Sequence, residues 1–486
     1  MQPIGHRARP LIAALAWPAF GAIAALLPAL WMRGFTVDDA LISVRYARHL
    51  AQGFGWRFNV SGPSTDGVTP LPWPILLLPL ARAAPVAVLA RAQVLGGVCW
   101  VVVGAALGRA SGSMAGAPWW GRAAPLGVLS VSVPVAAYAF SGMETPVATA
   151  LATAAALLSL RPRTAALVAG FAASLRPELA PWALALAVGC SLARKPTLAG
   201  ALPAALLAMA PLGACAVLRA AVWGSPVPLA VIAKPSDLAH GLAYAGAACV
   251  VTLVPIAAFA PLALRREPRA MALAVAGLVH VAAIAAAGGD WMPYARLMVP
   301  IVPSLAYAGA LASPWMAPAA VAARFTLAVG VGVALLLHGG ADGRRVGADR
   351  AALIAAARPV LSGARRVASL DIGWVSAATE ADIVDLAGVT DPRIASLPGG
   401  HTSKRVDGPM LVSLEPDVLL LYALHPPPGG LTAWRDCAYA RTLEARLASD
   451  DTVADRFAAA SWLPLGAAGA GYVVLVARAT GCPGSP

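Results

Sequence analysis

Residues 34–74, GFTVDDALISVRYARHLAQGFGWRFNVSGPSTDGVTPLPWP, decide how this chain is read. They follow the first long apolar segment and open on adjacent carboxylates, Asp38 and Asp39. Charge at a membrane boundary is costly to hold, and with polar partners it marks a functional site. The partners follow at once: Arg45, Arg48, His49, Arg57, Asn59 and Asp66, interleaved with aromatic side chains that include Trp73. This set is equipped to hold a phosphate and a sugar and to abstract a proton.

The surroundings of this stretch are a lipid-soluble chain. Of 486 residues, 59% are hydrophobic and 12% are charged, against roughly 25% charged in soluble domains. The formal net charge of +13 comes from arginines scattered between apolar segments. That scatter fits loop cations that set membrane orientation, and it argues against nucleic-acid binding, which needs a clustered basic face. The run from about Leu11 to Met32 exceeds a signal-peptide core and has no small-residue cleavage site, so it reads as an uncleaved first helix.

Apolar segments near 11–32, 92–108, 123–140, 146–160, 164–176, 178–193, 197–218, 242–263, 270–287, 297–314 and 317–338 are candidate spans. With His6, Arg7 and Arg9 in the cytoplasm, eleven spans also put Arg109 with Arg122, Arg161 with Arg163, Arg194 with Lys195, and Arg265, Arg266 and Arg269 inside. Segment 70–90 then does not cross. The expected fold is a polytopic α-helical membrane protein with about eleven transmembrane helices and a C-terminal extracytoplasmic α/β domain. Residues 1–338 form the membrane domain, with 33–91 as its first outer loop and juxtamembrane segment, and 339–486 form the outer domain. Fifteen of the 23 acidic residues lie beyond His338. There, VASLDIGWV, ADIVDLAGV, DVLLLYAL and GYVVLVARA read as strands, and TAWRDCAYARTLEARLASD reads as a helix. Cys437 and Cys482, the only cysteines in this part, are a candidate disulfide in an oxidising compartment.

Seven of the eight acids before residue 339 fall at the outer boundary in this topology, a sorting that orientation alone does not produce. They sit in compact polar patches: SGMETP with Glu144, LRPEL with Arg176 and Glu178, GSPVPLAVIAKPSD with Lys234 and Asp237, and GGDWMPYARLMVP with Asp290, Trp291, Tyr294 and Arg296. Arginine and lysine there would clamp a phosphate.

The order DDALISVRYARHLAQGFGWRFN, DGVTPLPW, SGMET, LRPE, GSPVPLAVIAK and GGDWMPYARLMVP resembles bacterial GT-C glycosyltransferases, most closely the AftB-like arabinofuranosyltransferase group of cell-wall assembly. The resemblance continues through Asp371–Gly373, Val384–Asp391, Gly400–His401 and Glu415–Leu421. The stretch Asp66–Trp73 departs from the family pattern by lacking its aromatic and its Asn.

The resemblance implies an inner-membrane enzyme that moves a sugar, arabinofuranose by this likeness, from a polyprenyl-phosphate donor to a glycan or glycolipid acceptor outside the membrane. Inverting single displacement is the implied chemistry, with Asp38 as general base and Asp39 beside it. Arg45, Lys234, Arg296 and Arg176 would stabilise the departing phosphate. Asp66, Trp73, Glu144, Asp290, Trp291, Tyr294 and His401 are the candidates for sugar and acceptor contacts. Carboxylates without His or Cys would take Mg²⁺ or Ca²⁺ rather than zinc, although nothing in the sequence requires a metal. Mannosyl or hexosyl transfer to protein or lipid is the alternative within the enzymes. A transporter or flippase of lipid-linked sugars is the alternative outside them.

Overall fold

The structure, a computed structural model, describes residues 5–114, 116–253, 261–467 and 469–478, with residues 5–14 and 261 described by backbone alone. Cys482, half of the candidate disulfide, lies outside the described residues.

The described residues up to 361 are mainly helical, with the loop between Ala51 and Pro72 the longest stretch outside any helix. Among the described residues four helices are long and apolar enough to cross a membrane: Pro85–Gly112, Leu198–Trp223, Pro268–Ala286 and Pro318–Leu361. A fifth is the pair Trp119–Val131 and Val133–Ala139, bent by 66°. Pro134 explains the bend, because it lacks the amide that would continue the hydrogen-bond ladder. Helices Pro162–Leu175 and Ala180–Arg194 have 14 and 15 residues, short of the roughly 20 needed to span. Residues 70–90 hold only the six-residue helix Pro72–Leu77, a 3₁₀ turn and the start of Pro85–Gly112.

Helix packing relies on small residues. A Cβ on Gly104 would lie 2.3 Å from the Gly21 carbonyl oxygen, and one on Gly108 would lie 2.2 Å from that of Trp17. The first helix, Gly5–Trp31, therefore crosses Pro85–Gly112 at backbone contact through a G-x-x-x-G face. Such faces allow the close approach that dispersion and lipid exclusion reward.

Helix Pro318–Leu361 carries the chain out of the helical bundle. Its 44 residues extend about 66 Å. The change of composition after His338 is therefore no break in the backbone, and the expected domain boundary falls inside a continuous helix. Gly339, Gly340, Gly343 and Gly347 weaken helical propensity there, yet Pro318–Leu361 stays one helix.

The C-terminal unit contains a five-stranded sheet in the order β2-β1-β3-β5-β4. β1 (Arg366–Ser369) pairs in parallel with β2 (Asp382–Asp385) and with β3 (Val418–Ala423). β5 (Gly471–Ala477) runs antiparallel to β3 and to β4 (Phe457–Pro464). The run VASLDIGWV is split between β1 and helix Ile372–Ala378, so only its first half is strand. The expected long helix is two pieces, a 3₁₀ segment Leu431–Asp436 and helix Thr442–Ser449. β4, FAAASWLP, is not among the expected strands.

Candidate functional site

Both carboxylates of the opening motif lie in the first turn of helix Asp38–Ala51. Acids are favoured there because they face the free amides and positive end of the helix dipole. Adjacent helical residues diverge by about 100°, so the two acids face different partners.

Asp38 faces the C-terminal unit. It accepts hydrogen bonds from the amides of Gly373 at 2.7 Å and Trp374 at 2.9 Å, and Arg350 lies 3.2 Å away. Burial pushes its pKa up to about 6, against the pull of Arg350 and with a further push from Asp371 and Asp39. Two turns along the same helix face, Arg45 donates to the carbonyls of Phe58 at 2.7 Å, Ala381 at 2.9 Å, Thr379 at 3.3 Å and Ser376 at 3.4 Å. One helix thus grips helix Ile372–Ala378 at both ends, with an anion at its amino end and a cation at its carboxyl end. Each charge has the sign the helix dipole favours. Asn59 extends the grip by pairing in both directions with the Ile383 backbone on edge strand β2, at 2.9 Å each. Arg45 therefore holds the two units together, its guanidinium committed to backbone carbonyls.

Asp39 faces the other way. With Ile42 and Ser43, one turn along, it lines a cavity of about 330 Å³ between the helical region and the C-terminal unit. Gly67–Pro70, Glu144, Arg176–Glu178, Lys234, Asp290 and Arg296 form the rest of the polar wall, and Val389 closes it from the C-terminal side. Six of the residues expected from sequence meet here: Asp39, Glu144, Arg176, Lys234, Asp290 and Arg296.

Most of these charges are committed to one another. Arg176 bridges Glu144 at 2.8 Å and Glu178 at 2.6 Å. Glu144 is fully buried, and its second oxygen has no partner among the described residues. Arg296 donates to Asp290 at 2.7 Å. Burial alone would raise the Asp290 pKa, but Arg296, Lys234 and Arg176 outweigh it and hold the carboxyl below its usual range. Asp39 and Lys234 are different: among the described residues neither side chain has a hydrogen-bond or ion-pair partner, and both are half-buried in the cavity wall. The cavity thus offers one uncommitted carboxylate and one uncommitted ammonium group beside two arginines.

The other expected residues lie off the cavity. Asp66 pairs with Arg219 at 2.7 Å, and Arg219 also donates to the Val68 and Thr69 carbonyls. This buried pair fixes the 67–70 wall without exposing its carboxylate to the cavity. Gly67 is packed so closely that a Cβ would lie 2.5 Å from Thr390 and 2.7 Å from the Tyr46 hydroxyl. Trp73 is a fully buried core side chain. Tyr294 donates to the Gly339 carbonyl at 2.5 Å and packs on Phe35, which ties the 290–296 turn to the long helix. Trp291 stacks on His240 with centroids 4.2 Å apart, and His401 packs on Trp291 at 5.9 Å. Burial, reinforced by Lys234, pushes His401 down to about 4, so its ring is neutral near neutral pH.

Sequence reasoning missed Arg350, the Asp38 partner, and Ser43 in the cavity wall. It also missed the buried network in which Asp371 accepts from Arg441 at 2.8 Å and from Tyr472 at 2.6 Å. The i, i+3 and i+4 spacing of Asp39, Ile42 and Ser43 was the available signal for the cavity face. Among the described residues no three acids, histidines or cysteines gather as a cation-ligating group. Three of the four cavity carboxylates are already bonded to arginine.

A family model described as a domain of unknown function, DUF8728, matches residues 346–474, which is the C-terminal unit with the end of the helix leading into it. No curated protein and no solved structure matches the chain.

Proposed function

We propose that this chain is an integral membrane glycosyltransferase of the GT-C type, taking a sugar from a polyprenyl-phosphate donor and passing it to a glycan or glycolipid. The supporting observation is the convergence of Asp39, Lys234, Arg176, Arg296, Glu144 and Asp290 on one cavity at the ends of apolar helices. Ligand pockets run from about 300 Å³ upward, so this one suits a single sugar with its phosphate rather than a long substrate. In this reading about eleven apolar segments lie in the membrane, the shorter ones packed among the longer spans, and the C-terminal unit lies outside, in the periplasmic or equivalent space.

The chemistry follows from the uncommitted groups. The acceptor hydroxyl gives its proton to Asp39 as its oxygen bonds to the anomeric carbon. The bond from that carbon to the phosphate oxygen breaks, and its electron pair leaves on the lipid phosphate. Lys234, with Arg296 and Arg176 behind it, meets the growing charge. Attack opposite the leaving group inverts the anomeric centre. Asp38 takes no proton in this scheme; it positions the helix that carries Asp39. Arabinofuranose is the donor sugar we expect, with mannosyl or other hexosyl transfer as the alternative.

The test uses purified protein in nanodiscs with labelled polyprenyl-phospho-arabinofuranose and an oligosaccharide acceptor. Wild type should transfer with inversion, and Asp39→Asn should lose about 10²–10⁴-fold in rate while melting at the wild-type temperature. Wild-type transfer that survives Asp39→Asn would reject the assigned base. Binding and release of the donor on opposite sides without transfer would favour a flippase.

A further inference from the structure

We propose that a second site, at the other end of the helices from the cavity, holds the headgroup phosphate of an anionic phospholipid. Two basic pairs far apart in sequence, Arg161 with Arg163 and Arg194 with Lys195, converge around a cleft of about 400 Å³. Arg194 reaches across to the Leu160 carbonyl at 3.4 Å, so the two loops touch. Thr164, Ser191 and Gly200 complete the polar lining, and no acid is among the described residues that form it. Among the described residues none of the four cations has an ion-pair partner, whereas Arg269 of the adjoining helix is bonded to Glu267 at 2.9 Å.

Four uncompensated positive charges around one concavity repel one another and draw in an anion. Guanidinium groups present parallel N–H donors that match phosphate oxygens. Helix Pro162–Leu175 begins at the same place. Pro162 has no N–H and the Ala165 amide bonds the Arg161 carbonyl at 2.9 Å, so the Arg163 and Thr164 amides are the free donors there, with the positive end of the dipole behind them.

The cleft's rim identifies the source of the phosphate as a lipid. Leu160 and Leu198 beside it are 65% and 78% exposed. Leu198 opens the candidate span Leu198–Trp223, so the cleft sits where apolar surface ends. A basic cleft at that level with leucines at its edge suits a headgroup with acyl chains running down the helices. The site is separate from the catalytic cavity: helix Pro162–Leu175 begins at the cleft and ends at Arg176, 14 residues or about 21 Å later. The inference does not depend on the glycosyl-transfer reading.

The experiment is native mass spectrometry of delipidated full-length protein titrated with dioleoyl phosphatidylglycerol, tetraoleoyl cardiolipin, dioleoyl phosphatidylcholine or inorganic phosphate. The two anionic lipids should bind and the zwitterionic one should not. Arg163→Gln and Lys195→Gln should each weaken binding roughly fivefold, from about 1 kcal/mol per cation near a lipid surface. Arg265→Gln, in a different basic run, should leave it unchanged. Equal binding of phosphatidylcholine, or unchanged affinity in both cleft variants, would overturn the proposal. Displacement of the lipid by inorganic phosphate at equal concentration would overturn the lipid assignment. Competition between these ligands on the wild-type protein decides the matter even where a variant fails to accumulate.

Discussion

Arg45→Ala should release the C-terminal unit from the helix that carries Asp39. Arg45 is 2% exposed and its guanidinium donates to four carbonyls, two of them at 2.7 and 2.9 Å. A hydrogen bond to a charged group contributes about 1.5–3 kcal/mol, and the two longer bonds less. The Phe58 bond stays within the helical region, so docking counts the Ala381 bond at about 1.5 kcal/mol and the longer Thr379 and Ser376 bonds at about 0.75 kcal/mol each, about 3 kcal/mol together. A loss of that size raises the population of the undocked state by roughly 150-fold. Hydrogen exchange in peptides covering 372–385 reads that population directly. Glu380→Ala is the internal control, because Glu380 is 68% exposed where it meets Arg48. An exposed pair contributes at most about 1 kcal/mol, so the control should change exchange no more than about fivefold. Exchange unchanged by Arg45→Ala, or changed more by Glu380→Ala, would refute the two-ended grip.

Gly373→Ala tests the other end of the grip: its Cβ would fall 2.1 Å from the Asp38 carbonyl oxygen, and differential scanning fluorimetry should show a lowered melting temperature. Asp66→Asn breaks a buried pair and should cost about 3–5 kcal/mol, measured by thermal unfolding, whereas joint replacement with Arg219→Met and Asp66→Leu should recover most of it. His401 supplies a pH test. Its folded pKa is depressed to about 4 from 6.5, so its contribution to holding the 399–404 loop is complete above 6.5 and declines as pH falls toward 4. His401→Gln should remove that part of the pH dependence; the wild-type minus variant difference in loop exchange isolates it from Asp38, whose raised pKa acts in the opposite sense. Lys234→Gln should slow sugar transfer by about 10²–10³-fold if it meets the leaving phosphate, with donor analogue binding weakened in parallel.

How far the residues could be read without coordinates depended on how local their roles are. The polar patches at helix ends were visible because charged residues among long apolar runs stand out. Their convergence in one cavity follows once those ends share a side. Which acid of a neighbouring pair faces the cavity was not visible by composition. It is visible by helical phase: Asp38 and Arg45 are seven residues apart and share one face, whereas Asp39, Ile42 and Ser43 share another. Arg45 looked like a phosphate ligand because its partners are backbone carbonyls, three of them more than 330 residues away, and carbonyls leave no signature in sequence. Trp73 and Tyr294 looked like sugar platforms for a related reason, since a core aromatic and a binding aromatic are the same side chain in different burial. In the C-terminal unit, the apolar runs of β3 and β5 stood out because they are buried on both faces, whereas β4 carries small and half-buried residues that blur the pattern.

The central claim is that the two neighbouring acids have divided roles, Asp39 in the chemistry and Asp38 in docking. It is tested most directly by comparing Asp38→Asn and Asp39→Asn for both transfer rate and hydrogen exchange of residues 372–378. The account predicts a split: Asp39→Asn abolishes transfer with native exchange, and Asp38→Asn speeds exchange while the docked fraction retains turnover. Native exchange with abolished transfer in Asp38→Asn, beside an active Asp39→Asn, would contradict it.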